Sequence, residues 1–200
     1  MRPRPQRIAT SLGTVAVWLA LALPVSAHEV QVVRYGSFLG GLFHPVLGPD
    51  HLLAMVSVGI VSTLFGGRAI LTVPAAFVTF MAVGGAYGMA VGGLPMGAIE
   101  LGIGASVLVL GAMIGIGRRA PLPLVFAAVG FFGSMHGYAH GSEMPRIADP
   151  LVFSAGFLTG TASLHLAGVL IGEVARQYRT GIPVLRAAGV GVAGLGGLFL

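Results

Sequence analysis

Apolar and polar positions alternate in long blocks rather than with a soluble-helix or strand period. Five apolar stretches follow residue 65, at 69–91, 94–116, 122–141, 150–174 and 182–200. Each is close to the roughly 20 residues that a helix needs to cross a bilayer. The stretch before them, 35–65, is apolar from Phe38 to Phe43 and from Leu52 to Phe65, but His44-Pro45-Val46-Leu47-Gly48-Pro49-Asp50-His51 interrupts it. Two prolines and a glycine do not sit in an undisturbed helix. The pattern therefore predicts one broken span whose second half starts near Pro49 and Asp50, residues suited to a helix N-terminus. The expected fold is all-α: a polytopic membrane protein with six transmembrane helices, the first of them broken.

The start of the chain has a different pattern. Arg2, Arg4 and Arg7 precede an apolar run from Leu12 to Leu23, which ends at Pro24-Val25-Ser26-Ala27. A basic start, a short apolar core and small residues before a cleavage point make a signal peptide. Residues 1–27 are read as that signal, and 28–200 as one six-helix domain with His28 at the mature N-terminus.

Composition agrees with a bilayer as solvent. Hydrophobic residues make up 56% and charged residues 8%, whereas a soluble domain carries about 25% charged residues. There is no Cys, which excludes disulfides and thiolate ligands. All eleven basic residues are Arg, and they lie singly or in pairs between apolar runs. That argues for a role in topology and against nucleic acid as a partner. With the mature N-terminus outside, the six-span count puts loops 66–68, 117–121 and 175–181 inside. Those loops hold Arg68, Arg118, Arg119, Arg176 and Arg179, while the opposite loops hold only Arg146. The positive charge then lies inside, as membrane insertion requires. The 33 glycines suit close helix packing, and Gly111-x3-Gly115 is compatible with a homo-oligomer face.

Ionisable side chains inside a bilayer are costly and mark function. Here they are His44, Asp50 and His51 in the broken span, Glu100 in the third, His136 and His140 in the fourth and His165 in the fifth. His136 and His140, four apart, share one helix face. If the segment between His44 and His51 is unwound, His44, Asp50 and His51 converge on one point. Neutral imidazole suits Ni, Co, Cu and Zn, and a neighbouring carboxylate offsets the charge of a bound dication. By the predicted topology these groups gather on the outer side, with His165 deeper, as in a capture site that leads inward. Broken helices at a binding site are usual in transporters.

The segment His44-Pro45-x-x-Gly48-x-Asp50-His51-x-Leu53-Ala54-Met55-x-x-Val58-Gly59 resembles the signature of the HupE/UreJ family of nickel and cobalt transporters. So do Glu100 with Ala105-Ser106-Val107-Leu108-x-Leu110-Gly111, His136-Gly137-Tyr138-Ala139-His140-Gly141-x-Glu143, and His165-x-x-Gly168. The resemblance covers most of the chain after the signal. It implies secondary transport of Ni(II), with Co(II) as the other candidate, across the bacterial inner membrane in support of hydrogenase or urease. It implies no catalytic cofactor. Many members of the family carry a further histidine shortly after the cleavage site; this chain runs His28-Glu29-Val30-Gln31 there, a departure that tells against an N-terminal metal-collecting role and leaves His28, with its free amine, as the candidate ligand.

Two other classes compete. An intramembrane metal-dependent hydrolase would also use His and Asp, but it needs a metal-bound water and a general base. His136-x3-His140 has no Glu between its histidines. A sensor, or a subunit of a larger transport complex, is the other alternative; 200 residues filled by membrane spans leave no soluble signalling domain. The chain is not expected to be an enzyme, and no Walker motif points to ATP hydrolysis.

Overall fold

The computed structural model describes the backbone of residues 27–200 and the side chains of residues 35–200. The expected signal segment and the His28 side chain lie outside the described residues. The described chain is all-helical: α1 (Ala27–Leu47), α2 (Pro49–Phe65), α3 (Ala69–Ala90), α4 (Met96–Ile116), α5 (Leu122–Ser142), α6 (Pro150–Gln177) and α7 (Gly181–Leu198). Helices α3 to α7 are each long and apolar enough to cross a membrane, and the pair Tyr35–Leu47 and Pro49–Phe65, bent by 84°, makes up to six. The fold is that of a multi-pass membrane protein.

The helix breaks where the sequence predicts, and the second half starts at Pro49. Between His44 and His51 only Gly48 leaves the helix, at φ −85° and ψ 112°. The cause is local. A residue before proline is pushed out of the helical region, and Pro49 then opens α2 at a position where a missing N–H costs nothing. Pro45 stays within the last turn of α1. The Gly48 carbonyl accepts the first helical bond of α2, from Leu52 at 2.8 Å.

Helix α2 is the centre of the bundle. It packs on α1, α3, α4 and α6, and Ala54, Met55 and the run from Ser57 to Thr63 are buried. Both halves of the broken pair climb α6 in the same direction. Gly156 and Gly160 face the carbonyls of Phe38 and Leu42, and further along Gly168 and Gly172 face Val56 and Thr63. Helices α3 and α5 also run parallel, and α4 and α7 run antiparallel: Gly111 meets Ala193 where Gly115 meets Val190, so Gly111-x3-Gly115 packs within the chain and not as the oligomer face that its spacing suggested. Small residues at these crossings let backbones touch.

Candidate metal-handling site

Four histidines from three helices meet where the first span breaks. His44 ends α1, His51 begins α2, and His136 and His140 lie one turn apart on α5. His140 is the middle of the group, with ring centroids 4.5 Å from His44 and 4.4 Å from His51. His51 also lies 5.0 Å from His136. His44 and His51 therefore meet through His140 of α5, across the bend at Gly48.

The register of α5 comes from glycine. A Cβ at Gly137 would run into the Met81 carbonyl, and one at Gly141 into the Gly85 carbonyl. Each lies one residue after a histidine, so the contact that locks α5 onto α3 also fixes the direction in which His136 and His140 project.

Hydrogen bonds settle two of the imidazole tautomers. His51 Nδ1 lies 2.8 Å from Asp50 Oδ1, which also accepts the His51 backbone N–H at 2.8 Å. His136 Nδ1 lies 2.9 Å from the Phe132 carbonyl. A carboxylate and a carbonyl only accept, so in both rings Nδ1 carries a proton, and in the neutral ring Nε2 then keeps its lone pair. Both Nε2 atoms are buried without a hydrogen-bond partner. A buried lone pair costs energy unless something fills it, and an Nδ1–H donated to a fixed acceptor is how proteins present Nε2 to a metal. His44 Nε2 and His140 Nδ1 share a hydrogen bond at 2.8 Å. As the side chains stand, no three His, Asp or Glu side chains among the described residues are arranged to close on one ion.

Asp50 pairs with His51 even though neighbouring side chains on a helix point about 100° apart. The structure makes the bond within the first turn of α2. There the backbone N–H groups have no helical acceptor, so the carboxylate folds back onto the His51 N–H and meets the ring as well.

His165 and Glu100 stand apart. His165, in the middle of α6, is buried with neither ring nitrogen hydrogen-bonded. Its ring packs edge-on against Phe77 at 5.1 Å, and Phe77 packs against His136 at 5.4 Å. Phe77 thus lies between His165 and the four-histidine group. Glu100 is exposed near the start of α4. Burial pushes the carboxyl of Glu143, just past the end of α5, above the usual range; Glu100 adds to this, and His51 opposes it.

Several partners were not visible in the sequence. Phe77 and Phe157, the latter 4.3 Å from His140, sit in ordinary apolar runs that carry no mark of a site. A cavity of about 140 Å³ beside His140 is walled by Met81, Met89, Met144, Phe153 and Phe157. Tyr138, within the His136–His140 motif, accepts a hydrogen bond from the Leu94 N–H at 2.7 Å and so ties α5 to the α3–α4 loop.

Residues 15–199 match the family model described as HupE / UreJ protein. Protein HupE of Rhizobium leguminosarum bv. viciae is 39% identical over 181 residues, covering 90% of this chain and 93% of that one. No solved structure matches. A match over nearly the whole chain, together with the histidine motifs at the break and on α5, shows that the chain belongs to the HupE/UreJ family.

Proposed function

We propose that this protein is a secondary transporter that carries a divalent transition-metal ion, Ni(II) before Co(II), across the bacterial inner membrane. The observation that carries the reading is the pair of buried Nε2 lone pairs on His51 and His136, each with Nδ1 already bound to an acceptor. Imidazole nitrogen is a good donor for late first-row dications. Family membership adds the expectation of nickel or cobalt. In this reading His51 and His136 bind the ion first, and small rotations of His44 and His140 complete the set. Asp50 holds His51 and contributes a negative charge. The ion then passes Phe77 to reach His165.

Six crossings fit the helix directions. Helices α1 and α2 advance together along α6 as one broken span, and α3 and α5 run parallel as second and fourth spans must. With Arg68, Arg118, Arg119, Arg176 and Arg179 on the cytoplasmic side, the histidines face the periplasm. His28, at the periplasmic end of the mature chain, would be an accessory ligand.

The test is competitive uptake in cells that express the gene. Labelled Ni(II) should accumulate, excess unlabelled Co(II) should compete more strongly than Zn(II), and His136→Ala should abolish the signal at normal membrane abundance. Accumulation equal to that of cells without the gene would overturn the reading.

A further inference from the structure

The opposite end of the bundle holds a second charged feature, remote from the histidines. A cavity of about 210 Å³ opens among the C-terminal ends of α2, α4 and α6 and the start of α7. Arg119, Arg176 and Arg186 line it, with Ile182 and Leu185 among the apolar residues of its wall. One guanidinium is hydrogen-bonded in place and a second packs against the end of α4. Arg176 Nη1 donates to the Thr63 carbonyl at 3.1 Å and to Glu173 Oε1 at 3.2 Å. The Arg186 guanidinium lies against Gly117, the left-handed end of α4, where a Cβ would collide with it. Three guanidiniums against the one carboxylate of Glu173 leave two positive charges in excess.

The positive-inside rule explains arginines on cytoplasmic loops. It does not explain why three of them, one inside α7, converge on a hollow with an apolar wall. Arginine's planar fork matches phosphate oxygens two at a time, and basic pockets between spans on the cytoplasmic side hold anionic headgroups. The hollow is smaller than the roughly 300–1,000 Å³ of pockets that enclose drug-sized ligands. It suits one phosphate group with any attached chains outside, along the exposed Ile182.

We propose that this hollow binds a phosphate group, gripped by Arg119, Arg176 and Arg186 and supplied by an anionic lipid headgroup or by soluble phosphate. The test uses the purified full-length protein in detergent. Retained lipid is read by native mass spectrometry, and the thermal midpoint is read with added phosphatidylglycerol, phosphatidylcholine or inorganic phosphate, the last against chloride at equal ionic strength. Phosphatidylglycerol should be retained in preference to phosphatidylcholine and should raise the midpoint. Arg119→Gln with Arg186→Gln should cut retention at least tenfold. Arg68→Gln with Arg118→Gln, which removes equal charge outside the hollow, should leave it unchanged. An arginine-dependent rise with inorganic phosphate and none with lipid supports the site with a soluble source. Equal loss in the two double variants overturns the proposal. So does wild-type protein that shows neither lipid preference nor phosphate effect, a result that does not depend on how the variants fold.

Discussion

Asp50 Oδ1 lies 2.8 Å from Nδ1 of His51, the very next residue, and accepts that residue's backbone N–H at the same distance. One carboxylate thereby fixes both the start of α2 and the tautomer of its first histidine. Two roles are open to such a carboxylate, as a direct ligand or as a group that orients a ligand. The geometry favours the second.

Asp50→Asn keeps the size and an acceptor oxygen but removes the charge. Loss of a group that orients a metal-bound histidine typically costs 10–100-fold in affinity. We expect Asp50→Asn to weaken metal uptake affinity by about that factor, while His51→Ala abolishes uptake with normal insertion. Uptake affinity measured across metal concentrations distinguishes them. Wild-type affinity in Asp50→Asn would remove Asp50 from the site.

His165 lies behind Phe77 and away from the four-ring group. His165→Ala should slow transport several-fold yet leave more high-affinity binding than His51→Ala does. Binding by the detergent-solubilised protein, measured beside uptake rate, checks this. Equal loss of binding in both variants would make His165 a direct ligand at the capture site.

Glu143 gives a stability prediction with a defined sign. Its carboxyl is raised, chiefly by burial and then by Glu100. A raised carboxyl is uncomfortable as an anion, so the native state is favoured at low pH and penalised as pH rises through the folded-state value. Glu143→Gln should therefore raise the thermal midpoint near pH 7 and lose that advantage below the ordinary glutamate range. Glu100→Gln should give part of the same gain. A midpoint change independent of pH would show that the gain is not electrostatic.

The break between α1 and α2, the five later helices and the histidine residues were legible in the sequence because each leaves a local mark. Proline beside glycine in an apolar run marks the break, and a charge inside a span marks a site. Span limits drawn at 94–116 and 150–174 fall close to Met96–Ile116 and Pro150–Gln177. What the sequence did not show is set by contacts between distant segments. The position of His140 between His44 and His51 depends on α5 lying against α3, and nothing near His140 states that. Phe77 lies between two histidines from different helices, yet in sequence it is one apolar residue among many. Arg186 falls within an apolar run, and only folding brings it beside Arg119 and Arg176.

The glycines that seat α5 should be far less tolerant than those facing outward. Gly137 meets the Met81 carbonyl, whereas Gly191 has open space around it. Overpacking a tight contact costs about 1–3 kcal/mol or more. Gly137→Ala should lower folded yield and uptake together, and Gly191→Ala should change neither, as read by gel filtration in detergent and by uptake. Normal folding with full activity in Gly137→Ala would show that α5 can shift without moving its histidines.

The central claim is that buried imidazole nitrogens at the break carry a metal dication through this chain alone. Its most direct test is uptake of labelled Ni(II) into proteoliposomes that contain only the purified protein. Wild-type protein should load the vesicles in a saturable manner, and His51→Ala and His136→Ala proteins, incorporated in equal amounts, should load no more than empty vesicles. Loading by either variant at the wild-type rate would contradict the account.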